Sequence, residues 1–296
     1  MIGLKGLKIG HNAISSPSRT VRWRDGRLRA DRTPTKHNSS GIYTTFHLAE
    51  AASYSPYIFA VEGWGNTVMG TDGFRSQFAR AIACLPLIPL TDAQMQTLER
   101  LRIPVLSQVD QIAELIPHMS KSVGDGLYIR GRNVLIYGGD GHGRYNIDHD
   151  DPNGTIVMVY SRADAVDIRA GGRLTNVRVH ADVERMDIKA ISASIIVRAE
   201  VDHLRASADK RLVLFGTPSG SILQMRGNHV LVDTREIRYA STEIEAERVS
   251  ILFRAQMRNV RIRAREDKIR YKEDLYRIVG PDQEGWFTIQ PREAEE

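Results

Sequence analysis

Val177-Arg178-Val179-His180-Ala181 is followed nine residues later by Met186-Asp187-Ile188-Lys189-Ala190, and nine after that by Ile195-Ile196-Val197-Arg198-Ala199. In each copy apolar residues stand two and four positions before an alanine. Alternation with a period of two is typical of a half-buried β-strand. One strand cannot bury its apolar side alone, so a fixed, short repeat of strands predicts stacked coils, a β-solenoid.

The same spacing continues on both sides of this stretch. The alanines of the series are Ala181, Ala190, Ala199, Ala208, Ala246, Ala255 and Ala264. The side chains predicted to point inward include Val177, Val179, Ile188, Val197, Phe253 and Ile262. Two or three units would give coils of 18 or 27 residues, and the sequence leaves the coil length and the handedness open. A β-sandwich also uses many short strands, but the constant spacing favours the solenoid.

The remainder of the chain has a different pattern. Helical spacing of apolar residues predicts helices near 46–53, 91–102 and 107–116, and Asp25-Gly26 predicts a tight turn. We therefore expect an α+β domain over 1–120 and an all-β parallel β-solenoid (β-helix) over 121–265. A capping segment with an acidic tail would follow over 266–296. The residues expected to cover the last coil are Tyr271, Leu275, Tyr276, Ile278, Trp286 and Phe287.

Composition narrows the class of protein. The 296 residues carry a formal net charge of +5 and a single cysteine, Cys84, which rules out a disulfide framework within one chain. No apolar run approaches the ~18 residues of a membrane-spanning helix, and no signal peptide is visible at the N-terminus. These features predict no membrane partner and a cytoplasmic site of synthesis.

Residues 126–160, which read as strand, glycine turn and strand, resemble the first coils of parallel β-helices of the pectate-lyase and phage-tailspike kind. The regular nine-residue units are more similar to bactofilins, polymer-forming β-helical proteins, although the glycine-rich turns of that family are missing here. These resemblances imply self-association or a place in a larger protein assembly, and incorporation into a virion in the tailspike case.

The segment from about 21 to 117 resembles a module of uncharacterised actinobacterial and phage proteins. The resemblance rests on Gly41-Ile42-Tyr43, Val61-Glu62-Gly63-Trp64-Gly65 and Gly73-Phe74-Arg75-Ser76-Gln77-Phe78-Ala79. It implies a phage or mobile-element setting and no particular activity. Members often carry cysteines just before the first motif, where this chain has Asn38, Ser39 and Ser40, so any metal role of those cysteines is lost.

Basic residues recur at the outward position before the repeat alanines and on the adjoining outer faces. They are Arg169, Arg178, His180, Lys189, Arg198, Arg205, Arg254, Arg261 and Arg263. Strands of successive coils lie ~4.8 Å apart, so such cations would form ladders. Like charges this close repel unless acids or a bound anion separate them. Asp167, Glu184, Asp187, Glu200 and Asp202 are available as acids, which leaves either a mixed-charge solvated face or a surface for an anionic polymer or partner.

An Asp- and His-rich stretch over 140–151 is a weak candidate for a divalent-cation site. Its possible ligands are Asp140, His142, Asp148, His149 and Asp150. Oxygen and imidazole ligands suit such ions, but the spacing matches neither an EF-hand nor a zinc motif. A solvated loop, in which Asp, Asn and Gly serve turn geometry, is the alternative.

Catalytic signatures are weak. The acids of the early coils, Asp164, Asp167, Asp182, Glu184 and Asp187, include no pair that stands out, and no nucleophile triad, phosphate loop or dinucleotide fingerprint is present. We therefore predict a non-enzymatic structural or interaction protein without a cofactor. The alternatives are a polysaccharide-acting β-helix enzyme and a nucleic-acid-binding protein that uses the arginine-rich faces.

Overall fold

The computed structural model describes residues 1–10, 13–17, 22–35, 40–234, 236–252 and 260–292. The chain forms two compact units, Met1–Gly138 and Gly139–Glu296. Within these described ranges, no helix has both the length and the apolar character needed to cross a membrane.

The first unit is built mainly from antiparallel strands. Its strands are β1 Ile2–Gly6, β2 Lys8–Gly10, β3 Ala13–Ser15, β4 Arg22–Trp23, β5 Arg27–Arg29, β6 Ile42–Thr45, β7 Tyr57–Met69, β8 Gly73–Pro86, β9 Leu127–Arg130 and β10 Asn133–Ile136. Its helices are α1 Leu48–Tyr54, α2 Asp92–Arg100 and α3 Val109–Leu115. One sheet has the order β5-β8-β6-β1-β7, and it closes on itself because β7 also pairs with β8. Strands β2, β3 and β4 form a second sheet.

Local signals in this unit were read correctly. Asp25 and Gly26 both have positive φ, 49° and 71°, and the Arg27 amide donates to the Arg24 carbonyl at 2.7 Å. This two-residue turn joins β4 and β5, which then enter different sheets. Helix α2 begins after Thr91, whose hydroxyl accepts from the Gln94 amide while the Gln94 side chain accepts from the Thr91 amide, a reciprocal cap.

The expected first coil of the solenoid is wrong. Strands β9 and β10 form an antiparallel hairpin, with Val134 opposite Ile129. Arg130 of this hairpin pairs with Asp72 beyond the end of β7. Two strands separated by a glycine turn have the same sequence pattern in a hairpin and in a coil, so the pattern of 126–139 did not separate the two.

The second unit is a β-solenoid of about seven turns. Its strands are β11 Arg144–Asp148, β12 Thr155–Val159, β13 Ala163–Ala170, β14 Thr175–Val179, β15 Val183–Val197, β16 Val201–Gly216, β17 Ser219–Thr234, β18 Arg238–Ile251, β19 Val260–Arg263, β20 Ile269–Arg270, β21 Tyr276–Val279 and β22 Phe287–Pro291. A short 3₁₀ turn, Glu266–Lys268, precedes β20.

Each coil contributes two strand segments. Arg144 aligns with Ala165 and Val183 with Val201, so the coils have 18 to 21 residues, and the shorter of the two coil lengths left open is the one observed. Segments pair in parallel with the equivalent segments of neighbouring coils. The first face comprises 144–148, 163–170, 183–190, 201–208, 222–227, 241–246 and 260–263. The second face comprises 155–159, 175–179, 192–197, 211–216, 229–234, 248–251 and 269–270.

Alternate side chains of both faces form the core. The predicted inward residues Val177, Val179, Ile188, Val197 and Ile262 are all buried, which confirms the alternation. Phe253 lies outside the described residues. Glycine is required at one corner, because Gly216 has a φ of 101° and a Cβ there would lie 2.0 Å from the Val197 carbonyl oxygen of the preceding coil.

The C-terminal segment covers the free edge of the last first-face strand. Strands β21 and β22 form an antiparallel hairpin, and β22 pairs with β19. Tyr276, Trp286 and Phe287 are buried there as expected, whereas Leu275 is 39% exposed. An edge strand left open is a template for pairing with another chain, and this hairpin occupies the β19 edge.

Candidate binding surfaces on the solenoid

The nine-residue series of basic residues is distributed over two faces. Nine residues are half a coil, so each successive member falls on the other face. Arg169, Lys189, Arg205, Arg261 and Arg263 belong to the first face. Arg178 lies on the second face, with His180 and Arg198 immediately after its strands, and Arg254 lies outside the described residues. The expectation that neighbours in the series form one ladder is therefore wrong.

The C-terminal part of the first face is neutralised within the chain. Arg261 lies 3.5 Å from Glu243, and Arg263 lies 3.4 Å from Glu245. The Nε of Arg226 donates to Glu245 at 2.9 Å. These pairs join adjacent coils and follow the mixed-charge interpretation.

The middle of the first face is different. Asp187 and Asp167, two of the acids expected to neutralise the series, instead pair with Arg185, at 3.0 and 3.7 Å. Arg169 aligns directly with Lys189 on the next coil. Within the described ranges, no carboxylate lies at ion-pair distance from Arg169, Lys189 or Arg205, which are the members named in this sentence only for that shared property.

A groove runs along the same face beneath the C-terminal hairpin. Its volume is about 490 Å³, within the usual range for ligand sites. Trp286 closes one side, with the guanidinium carbons of Arg261 and Arg263 at 4.9 and 4.6 Å from its ring centroid. This is cation–π distance. Side chains of both signs line the groove, among them Asp187, Lys189, Arg205, Glu243, Glu245 and Arg263.

His180 does not act as a cation at neutral pH. Its ring stacks on Tyr160, with centroids 4.7 Å apart. Burial lowers the pKa of His180 to about 4, and the charges of Arg198 and Arg178 lower it further in the same direction. The imidazole is therefore neutral near pH 7, which removes it from the predicted set of positive groups.

The candidate metal ligands serve separate local contacts. The Asp140 carboxylate accepts from the His142 amide at 2.8 Å, and the His142 ring lies 3.4 Å from Asp164. Asp148 is exposed on the first face, aligned with Arg169. His149 is half-buried and Asp150 is exposed. In the described part of the chain, no three His, Cys, Asp or Glu side chains are placed to hold a metal ion.

The sequence analysis missed the acids and one group of cations that the coil brings together. Glu243 and Glu245 stand 18 residues before Arg261 and Arg263. Arg211, His229 and Arg248 form a row on the second face. A search at the coil length, in place of the nine-residue unit, is the signal that finds both groups.

Comparison with known proteins gives no relative from which to transfer a function. No protein-family model, no curated protein and no solved structure matches the chain. The function is therefore argued from the geometry of the solenoid.

Proposed function

We propose that the chain is a non-enzymatic interaction protein whose solenoid binds an acidic partner on its first face. The observation that carries this proposal is the placement of Arg169, Lys189 and Arg205 without acids at ion-pair distance in the described ranges, next to a groove closed by Trp286. The larger setting that we propose is a phage or mobile-element assembly, in which self-association is one form of partner binding.

Electrostatics supports an acidic partner. Strands of adjacent coils are ~4.8 Å apart, so Arg169 and Lys189 repel one another at the cost of a few tenths of a kcal/mol or more. Carboxylates of a partner would convert this repulsion into charge-assisted hydrogen bonds. Arginine and tryptophan are also the residues enriched at the centres of protein interfaces.

The first unit enters the proposal through its predicted class. We assign it as an α+β module whose helices accompany the closed sheet. Its resemblance to actinobacterial and phage modules supports the mobile-element setting, and no activity is assigned to it.

The carboxylates of the groove favour binding over polysaccharide cleavage. Glycoside hydrolysis requires one carboxylic acid that is free to protonate the leaving group and a second that acts as base or nucleophile. Glu243 is engaged by Arg261, and Glu245 by Arg226 and Arg263. Asp187 is engaged by Arg185. Each of these carboxylates already accepts from a guanidinium, an arrangement suited to holding a surface in place.

The test uses a fluorescent poly-glutamate peptide as the acidic probe. The double variant Lys189→Ala with Arg205→Ala should weaken binding roughly tenfold, because each lost charge-assisted contact is worth ~1.5–3 kcal/mol before solvent screening. The control variant Arg162→Ala with Arg173→Ala removes the same charge from exposed turns and should change affinity less than about twofold. Fluorescence anisotropy at low and physiological salt provides the affinities.

Two results would contradict the proposal. The wild-type protein could fail to bind poly-glutamate at low salt, or the two double variants could lose affinity equally. Equal losses would show attraction by net charge alone, without a surface on the first face.

A further inference from the structure

The second face carries a separate basic cluster near its C-terminal end. Arg211 aligns with His229 on the next coil, and His229 aligns with Arg248 on the coil after that. Arg270 aligns with Ser250, one strand further on. Four neighbouring strands thus bring three guanidinium groups and one imidazole to the same surface, at a spacing of ~4.8 Å per strand.

A concave site of about 230 Å³ lies within this cluster. It is lined by His229, Arg248, Ser250, Asp267, Lys268 and Arg270. Its one lining carboxylate, Asp267, lies 3.1 Å from Lys268 and 3.2 Å from Arg265. Across the ranges that the structure describes, no carboxylate lies within ion-pair distance of the guanidinium groups of this cluster.

We propose that Arg211, His229, Arg248 and Arg270 bind a phosphate group on the second face. A guanidinium presents a planar fork of donors that engages phosphate bidentately. Three such forks supply more donors than the two oxygens of one carboxylate accept, whereas a phosphate offers more oxygens and up to two negative charges. The repulsion within the cluster would be relieved by that charge.

His229 fits the role of a neutral donor. Burial lowers its pKa, and the charges of Arg211, Arg248 and Arg270 lower it further. A neutral imidazole keeps one N–H that can donate to an anion, and Ser250 adds a hydroxyl at the same site. The site therefore combines three fixed positive charges with two neutral hydrogen-bonding groups.

The inference is independent of the proposed function, because it concerns other residues on the other face. Its test is titration of the full chain with inorganic phosphate in a chloride buffer, followed by calorimetry. We expect saturable binding, a loss of roughly tenfold or more in Arg248→Ala, and unchanged affinity in Arg173→Ala, an exposed arginine of an early turn. Arg248→Lys retains the charge without the fork and should show most of the loss.

The controls separate the anion and its source. Acetate at the same ionic strength should bind much more weakly than phosphate. A short oligothymidylate that binds tighter than free phosphate, and also depends on Arg248, would name a nucleic-acid backbone as the source; phosphate binding alone would name a small ligand. Absence of saturable phosphate binding, equal binding of acetate, or full affinity in both Arg248 variants of normal fold would overturn the inference.

Discussion

At the residue scale, His180 shows how burial and neighbouring charge act together. Its ring lies against Tyr160, and the guanidinium groups of Arg178 and Arg198 are near enough to disfavour a second positive charge. The folded pKa of about 4 lies below the ordinary histidine value of 6.5. The unfolded chain therefore binds the proton more tightly, and folding loses stability as the pH falls from about 6.5 to about 4.

We expect His180→Asn to remove part of this pH dependence. The loss of unfolding free energy between pH 7 and pH 4 should be about 1–2 kcal/mol smaller in the variant, after a discount for the partial exposure of the ring. Urea unfolding at both pH values measures the difference. The exposed His142, changed to Asn, is the matched control, and an identical pH slope in wild type and His180→Asn would contradict the assignment.

At the element scale, adjacent isoleucines of β15 test the orientation of a coil strand. Ile195 is completely buried, while Ile196 points outward and is half-buried. Ile195→Ala should destabilise the solenoid by ~2–5 kcal/mol, because it removes buried contacts and leaves a cavity. Ile196→Ala changes the same atoms on the outer side and should cost under about 1.5 kcal/mol. Chemical denaturation followed by circular dichroism compares them; similar losses would argue against this register.

The strands show which part of the fold was available from the sequence. Alternation along Val177 to Val197 is a local property, so the inward residues were predictable. The coil length was not, because the pairing of Val183 with Val201 is decided by stacking between coils. The same reason hid the pairing of Arg261 with Glu243, and it explains why one expected row of cations is divided between two faces.

At the scale of the whole molecule, the C-terminal hairpin occupies the β19 edge that would otherwise be free. A chain that ends at Arg270 lacks β21 and β22, so β19 is left unpaired on its outer side. We expect this variant to self-associate through the exposed edge. Light scattering should give an average mass that rises with concentration, and a chain that ends at Arg292 should behave as the full chain does. A truncated chain with the full chain's association behaviour would show that β19 needs no cover.

The half-coil length of the repeat constrains how this gene can change. A deletion or duplication of nine codons would keep the apolar pattern of the downstream strands in phase with the core, since Val177, Met186 and Ile195 occupy equivalent buried positions at that spacing. Every downstream outer side chain would nevertheless move to the opposite face, and the basic rows would be exchanged. Only changes of a whole coil, 18 residues in the register of Val183 and Val201, preserve both the core and the surface chemistry. Viable length variants of this chain should therefore differ by whole coils.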